Sequence, residues 1–296
     1  MRLFYILTLL LFLSGCKKSQ TSRPMLWEIS GNKIQQTSYL FGTFHTRDTK
    51  INKLPNIVTS TLSKSQRLYT EIAMTNKSTN KILHFSKAIH PIPLRQRLHP
   101  KTIKILLKHL KIHKIPYTLR SLKIYKTWSI ALMISNYAET TLYPDTDFMD
   151  EHLSSYAKRK HIKQAGLESP IEQLNYFDML PSSLQEQLLI DTLAQDENNA
   201  YSDALKEWYI KGTEKGFVAL QENFISNNPK QQKLDKVLNE GLLIERNTRF
   251  LRRIDILLQS NTSLSYFFAI GAGHMSGDKG IIQGLKHLGY RLKKLD

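Results

Sequence analysis

The chain has a single cysteine, Cys16, among its 296 residues. No internal disulfide can form, and sites that need several thiolates, such as structural zinc modules and iron–sulfur clusters, are excluded. Acidic residues are also scarce, with 25 Asp and Glu against 42 Lys and Arg, a net charge of +17. Long apolar runs are missing too. The apolar stretch that opens the chain, Leu3 to Leu13, is shorter than the roughly 20 residues that cross a bilayer. No repeat period is visible along the chain. What is present is ordinary for a folded protein: 41% apolar and 23% charged residues are enough to fill a core and argue against global disorder.

Position makes the lone cysteine informative. Met1-Arg2, the short apolar run and the small pair Ser14-Gly15 read as a secretory signal peptide over residues 1–15. Leu13-Ser14-Gly15-Cys16 resembles a bacterial lipobox, in which Cys16 is lipidated and starts a mature tether over 16–24; the alternative is an incidental thiol. Lys17, standing where an aspartate would retain a lipoprotein at the inner membrane, matches the pattern of outer-membrane lipoproteins facing the periplasm. Cleavage removes only Arg2 among the charged residues, so the basic excess belongs to the folded part. Such a surface favours anionic headgroups or acidic glycans, and export disfavours nucleic acid.

The remainder, 25–296, reads as one domain. Leu26 to Ile29, a Gly31-Asn32 turn and Thr37 to Phe41 predict a β-hairpin. A short helix (Pro55 to Ser65) and a strand (Arg67 to Ile72) follow. From about 76 to 261 the pattern is helical, broken by one strand at Ile162 to Gly166. Within it Ile103, Leu106, Leu107 and Leu110 form an apolar stripe, with Lys101, Lys104, Lys108 and Lys111 off it. This is either a solvated face over a core stripe or a surface that rests on anionic membrane. Ser183 and Glu186 have capping-box spacing after Pro181. Ser265 to Ile270, a helix at Gly280 to His287 and a strand from Tyr290 then predict a βαβ unit containing a parallel strand pair.

Two G-x-x-H sequences, Gly42-Thr43-Phe44-His45 and Gly271-Ala272-Gly273-His274, each follow an apolar strand. Histidines at strand ends are commonly structural. Two of them at opposite ends of the chain can also converge at one sheet edge, where imidazoles would share a metal ion with a carboxylate such as Glu71. On the predicted helix Asn239 to Gln259, the phase puts Arg246 and Asn247 on the buried stripe with Leu243, Phe250, Ile254, Leu257 and Leu258. A buried guanidinium needs a carboxylate or a ligand. Arg246 is therefore either a structural ion pair, with Glu168 as candidate partner, or a group that orients a catalytic carboxylate or holds a substrate carbonyl. His109 and His113 have helical metal-pair spacing but lack the glutamate of a zinc-protease helix. Gly271-Ala272-Gly273 lacks the lysine of a phosphate loop.

Taken together, Leu26-Trp27-Glu28, Tyr39 to His45, Glu71, the Trp128 helix, Asp147, Gly166 to Ser169, Glu172 to Leu174, Glu245-Arg246-Asn247 and Ala269 to His274 resemble the TraB/PrgY/GumN family, which includes the Tiki metalloproteases. The resemblance covers roughly residues 25 to 296. It implies an α+β fold like that of the erythromycin-esterase and ChaN-like proteins, with a mixed β-sheet built from the N- and C-terminal segments and helices around it. It also implies a divalent-metal-dependent hydrolase acting on peptide bonds, with manganese or cobalt preferred and zinc as a further candidate. Carried over, His45, His274 and Glu71 form the metal shell, and Glu71, Arg246, Asn247 and Glu168 the catalytic set. Gly42, Gly271, Asp147 and Glu245 support them. Thr146 stands where the family commonly has glycine and Ser169 where threonine is commoner, which leaves the role of that loop open. The expected partners are the membrane, through the lipid, and a peptide or protein substrate, with a homodimer left open. The competing reading is a non-catalytic lipoprotein that sequesters haem or a peptide pheromone.

Overall fold

The computed structural model describes residues 23–194, 200–223 and 225–295, so the expected signal peptide and Cys16 lie outside the described residues. Six strands form one mixed sheet: β1 (Leu26–Gly31), β2 (Ser38–Thr43), β3 (Arg67–Thr70), β4 (Lys163–Gly166), β5 (Tyr266–Gly271) and β6 (Tyr290–Leu295). Their order is β4-β3-β5-β2-β1-β6. The four strands β4, β3, β5 and β2 run parallel, and β1 is antiparallel to both β2 and β6. The expected hairpin forms with Leu26 opposite Phe41, and Gly31, Asn32 and Lys33 take the positive φ that its turn requires. The fold is α+β, with a mixed sheet drawn from both ends of the chain, as the sequence indicates.

Strand β5 occupies the middle and is apolar at every position because both of its faces are covered. Tyr266, Phe268 and Ile270 face one core, with Phe250, Ile254 and Leu258 from the helix Arg246–Ser260 and Ile281 and Leu285 from Ile281–His287. Phe267 and Ala269 face the other, with Val58 and Leu62 of Asn56–Ser63 and Leu153 and Ala157 of Met149–Arg159. The helical middle section has its own core, in which Leu106, Trp128, Leu189 and Leu234 are fully buried.

The structure corrects four local expectations. Strands β5 and β6 run in the same direction but do not pair, since β2 and β1 lie between them; the parallel neighbours of β5 are β2 and β3. Ser183 and Glu186 do not form a capping box, because the helix already starts at Ser182. Instead Glu186 Oε1 accepts from the His99 backbone N–H at 2.7 Å, at the start of a different helix, Pro100–Ile112. Leu107 leaves the expected apolar stripe and is exposed, while Thr102 and His109 are buried beside Ile103, Leu106 and Leu110. Finally, the helix expected from Asn239 to Gln259 is a π-helical turn, Asn239–Glu245, that runs into the α-helix Arg246–Ser260. Gly241 in that turn lies under the Tyr176 ring, where a Cβ would come within 2.5 Å of a ring carbon. Such wide turns are frequent at functional sites.

Candidate active site

The carboxyl ends of the four parallel strands lie side by side. Thr43 of β2 pairs with Gly271 of β5, and Thr70 of β3 pairs with both Ala269 of β5 and Gly166 of β4. The residues just beyond these ends are His45, Glu71, Glu168 and His274, so the topology brings to one edge groups far apart in sequence. In α/β sheets this edge is the usual ligand site.

Arg246 reaches the same edge from its helix and is only 4% exposed. Its Nη2 donates to Glu71 Oε2 at 2.5 Å and to Glu168 Oε1 at 2.5 Å, and its Nε donates to Glu168 Oε1 at 2.8 Å. Nη1 donates to Leu242 O at 3.0 Å and meets His274 Nε2 at 3.1 Å. The guanidinium is thus saturated, as burial of a charge demands. Glu168, whose side chain is wholly buried, also accepts from Arg249 at 3.1 Å. Arg249 in turn donates to the Tyr176 hydroxyl, which donates to Glu245 at 2.9 Å. Glu245 therefore supports the cluster from outside it.

The network fixes the His274 tautomer. Asn247 Nδ2 donates to Lys279 O at 2.8 Å, which turns Asn247 Oδ1 towards His274 Nδ1 at 2.6 Å. Nδ1 must then carry the proton, leaving Nε2 bare to accept from Arg246. Burial and the neighbouring Arg246 cation hold the imidazole down at about 4, against the pull of Glu71, so His274 is neutral at pH 7. Burial alone would raise Glu71, but Arg246, His274 and the Gly271 N–H, which donates to Oε1 at 2.7 Å, outweigh it and keep the carboxyl at about 2. Glu168 moves up, because desolvation outweighs Arg246 there.

Gly271 is required by this packing, since a Cβ there would stand 3.0 Å from Glu71 Oε1. Gly42 plays the matching part on β2, where a Cβ would come within 3.1 Å of Met25 Cβ, and its carbonyl accepts from the buried Tyr209 hydroxyl at 2.8 Å. Gly271→Ala is expected to displace the Glu71 carboxylate, with a stability loss of about 1 kcal/mol. A thermal melt of the purified variant beside wild type checks this.

Two expected residues stand apart. His45 sits two residues past β2 with its side chain 71% exposed, stacked on Phe148 at 4.1 Å, with Nδ1 3.5 Å from Asp150 Oδ2. Contact with the Phe148 ring strips part of its hydration and lowers its pKa, but Asp150, with Glu71 and Glu139 beyond it, outweighs this, so the net shift is upward. Asp147 is at the surface, 3.8 Å from Arg47, and outside the cluster. Its neighbour Thr146 accepts from Asn52 at 2.6 Å, and Ser169 caps the helix Pro170–Asp178 in a capping box with Glu172.

Sequence reasoning missed Asp150 and Phe148, which hold His45, and the arginines Arg249 and Arg253. Arg253 donates to Leu167 O at 2.5 Å and to Glu172 at 2.5 Å, clamping the loop that carries Glu168. The spacing Arg246, Arg249, Arg253 on one helix face was the signal available. Beside Glu168 a cavity of about 370 Å³ opens, lined by Ile72, Ala73, Gly166, Ser169 and Arg253.

The expected metal shell is not assembled. Among the described residues no three His, Cys, Asp or Glu side chains lie together as a metal-holding group. Glu71 and His274 do share a space, Oε1 to Nε2 being 3.7 Å, but the Arg246 guanidinium already supplies the positive charge there. His45 is turned towards Asp150 instead of joining them. As placed, these residues do not fit a bound divalent metal.

Comparison with known proteins decides the family: the model of the TraB/PrgY/gumN family matches residues 25–294. The chain belongs to the TraB/PrgY/gumN family. Curated relatives within reach of this TraB-family chain are named metalloproteases. Metalloprotease TIKI2 of Danio rerio is 24% identical over 94% of the chain and 62% of its own length. The Metalloprotease TIKI homolog of Nematostella vectensis is 25% identical over 90% of the chain and 65% of its length. Metalloprotease TIKI1 of Xenopus tropicalis is 26% identical over 93% of the chain and 62% of its length. The chain therefore spans less than two thirds of the length of these relatives. No solved structure matches it.

Proposed function

We propose that the chain is a peptide-bond hydrolase, held at the bacterial envelope by lipidated Cys16, with the outer membrane as its site and the periplasm as its working space. The observation that carries the reading is the buried Arg246 bridge, which binds two strand-end carboxylates and a tautomer-fixed histidine at the ligand edge of the sheet. A structural ion pair alone would not need a neutral histidine with its bare nitrogen aimed into the same space. The names of the relatives support proteolysis as the chemistry.

In this reading His45 accepts the proton of the attacking water. Its side chain is exposed, and Asp150 faces Nδ1, which leaves Nε2 free for solvent or substrate. The Arg246 cation, held in place by Glu71 and Glu168, provides a fixed positive field for the charge that develops on the carbonyl oxygen. The cavity beside Glu168 takes the flanking residues of the substrate. The relatives' names point to a metal without saying which, so manganese, cobalt and zinc form a separate arm of the test. Purified chain is incubated with a peptide library, with each metal added and with EDTA, and products are read by mass spectrometry. Cleavage that His45→Ala abolishes supports the reading. No cleavage under any condition overturns it.

A further inference from the structure

Between Glu71 and Glu139 the chain has 13 Lys and Arg and no Asp or Glu. No other part of the sequence is so one-sided, and the catalytic reading makes no use of it. The same stretch holds eight of the sixteen large apolar side chains exposed among the described residues, among them Ile89 at 87% and Ile112 at 59%. The two features coincide on the helix Pro100–Ile112. Its inner face buries Thr102, Ile103, Leu106, His109 and Leu110. Its outer face follows i, i+3, i+4 spacing as Lys101, Lys104, Ile105, Lys108, Lys111 and Ile112, all exposed.

A solvated helix face would be polar throughout, whereas this one alternates cations with branched apolar side chains. We propose that this face, with the exposed loop residues Ile89 and Ile92, is a docking surface for an anionic lipid bilayer. Lysines with long alkyl stems reach headgroup phosphates while the isoleucines enter the boundary below them. Charge complementarity specifies the anionic partner, and the apolar residues favour a lipid surface over an acidic polymer. Surfaces for single-stranded nucleic acid instead use aromatic side chains on which bases stack, and none of the eight exposed apolar residues is aromatic. No helix among the described residues is long and apolar enough to cross a membrane, so the contact is superficial. It would lay this face of the domain against the bilayer that the proposed lipidated Cys16 enters.

The test places tryptophan on the helix, so that contact made by the N-terminal segment is not mistaken for it. Ile105→Trp in the full chain is titrated with phosphatidylcholine vesicles, with and without phosphatidylglycerol, and its emission is compared with wild type, whose three tryptophans are buried. The expected result is a blue shift on the anionic vesicles only. Adding Lys101→Gln, Lys104→Gln and Lys111→Gln weakens the interaction by about a hundredfold. Circular dichroism checks folding, and Ile112→Trp replaces the reporter if Ile105→Trp misfolds. No shift on anionic vesicles, an equal shift on neutral ones, or a shift with heparin or duplex DNA but not vesicles overturns the proposal. These readouts do not involve the Arg246 cluster, so they succeed or fail independently of the hydrolase reading.

Discussion

Arg246→Ala is expected to remove the proposed hydrolysis and to lower the thermal midpoint by roughly 10 °C. The wild-type side chain is the cation between Glu71 and Glu168, whose side chains are 22% and 0% exposed. Alanine leaves both carboxylates facing each other without a counter-charge. Breaking a buried ion pair by deleting one partner costs about 3–5 kcal/mol, and in a chain of this size each kcal/mol moves the midpoint by about 2–4 °C. Part of the penalty is relieved when a carboxyl group protonates, so the variant recovers stability relative to wild type as the pH falls from 7.5 to 5. Arg246→Lys restores the charge but cannot make the parallel contacts to Glu168, Glu71 and His274, and regains some stability with little activity. Equal midpoints for wild type and Arg246→Ala would mean that the bridge does not hold the sheet edge together.

Acid weakens the fold across a wide window, from about pH 6.5 down to about pH 2. His274 is held at about 4 in the fold, below its ordinary 6.5, so between those values the unfolded chain binds more protons and stability drops as pH falls. Glu71 is held at about 2, below its ordinary 4.5, so its contribution is fully present above 4.5 and is lost as pH falls towards 2. The two windows join end to end and have the same sign. Glu168 is shifted upward and works in the opposite direction above its ordinary 4.5, offsetting part of the upper window. Thermal midpoints at half-unit pH steps should therefore decline from 6.5 downward. His274→Ala flattens the upper part of the curve, and Arg246→Ala flattens the lower part. The same pH dependence in wild type and His274→Ala between pH 6.5 and 4.5 would show that His274 is not held neutral by burial.

The sheet-edge cluster was largely legible in the sequence because its members carry local marks. Glycines at strand ends point to Gly42 and Gly271, helix phase points to a buried Arg246 and Asn247, and the strand Ile162 to Gly166 leads to Glu168. Convergence itself follows from parallel strands ending on one edge. What could not be read was non-local. Whether His45 joins His274 depends on Phe148 and Asp150, about a hundred residues away, which stack on and pair with the imidazole. The insertion of β2 and β1 between β5 and β6 leaves no trace in either strand. Glu186 has the spacing of a local cap, yet it serves a helix 87 positions earlier. Leu107 fits the apolar period and is exposed, because the packing on that side of the helix is narrower than the stripe.

In the proposed reading the sheet-edge cluster, with Arg246 fixed by Glu71, performs hydrolysis. It is tested most directly by peptide cleavage with Glu71→Gln beside wild type, both shown by circular dichroism to be folded. The amide keeps the shape of the side chain but removes the charge that aligns Arg246. The expected result is cleavage by wild type and a loss of about a thousandfold in the variant. A folded Glu71→Gln protein that cleaves at the wild-type rate would contradict it.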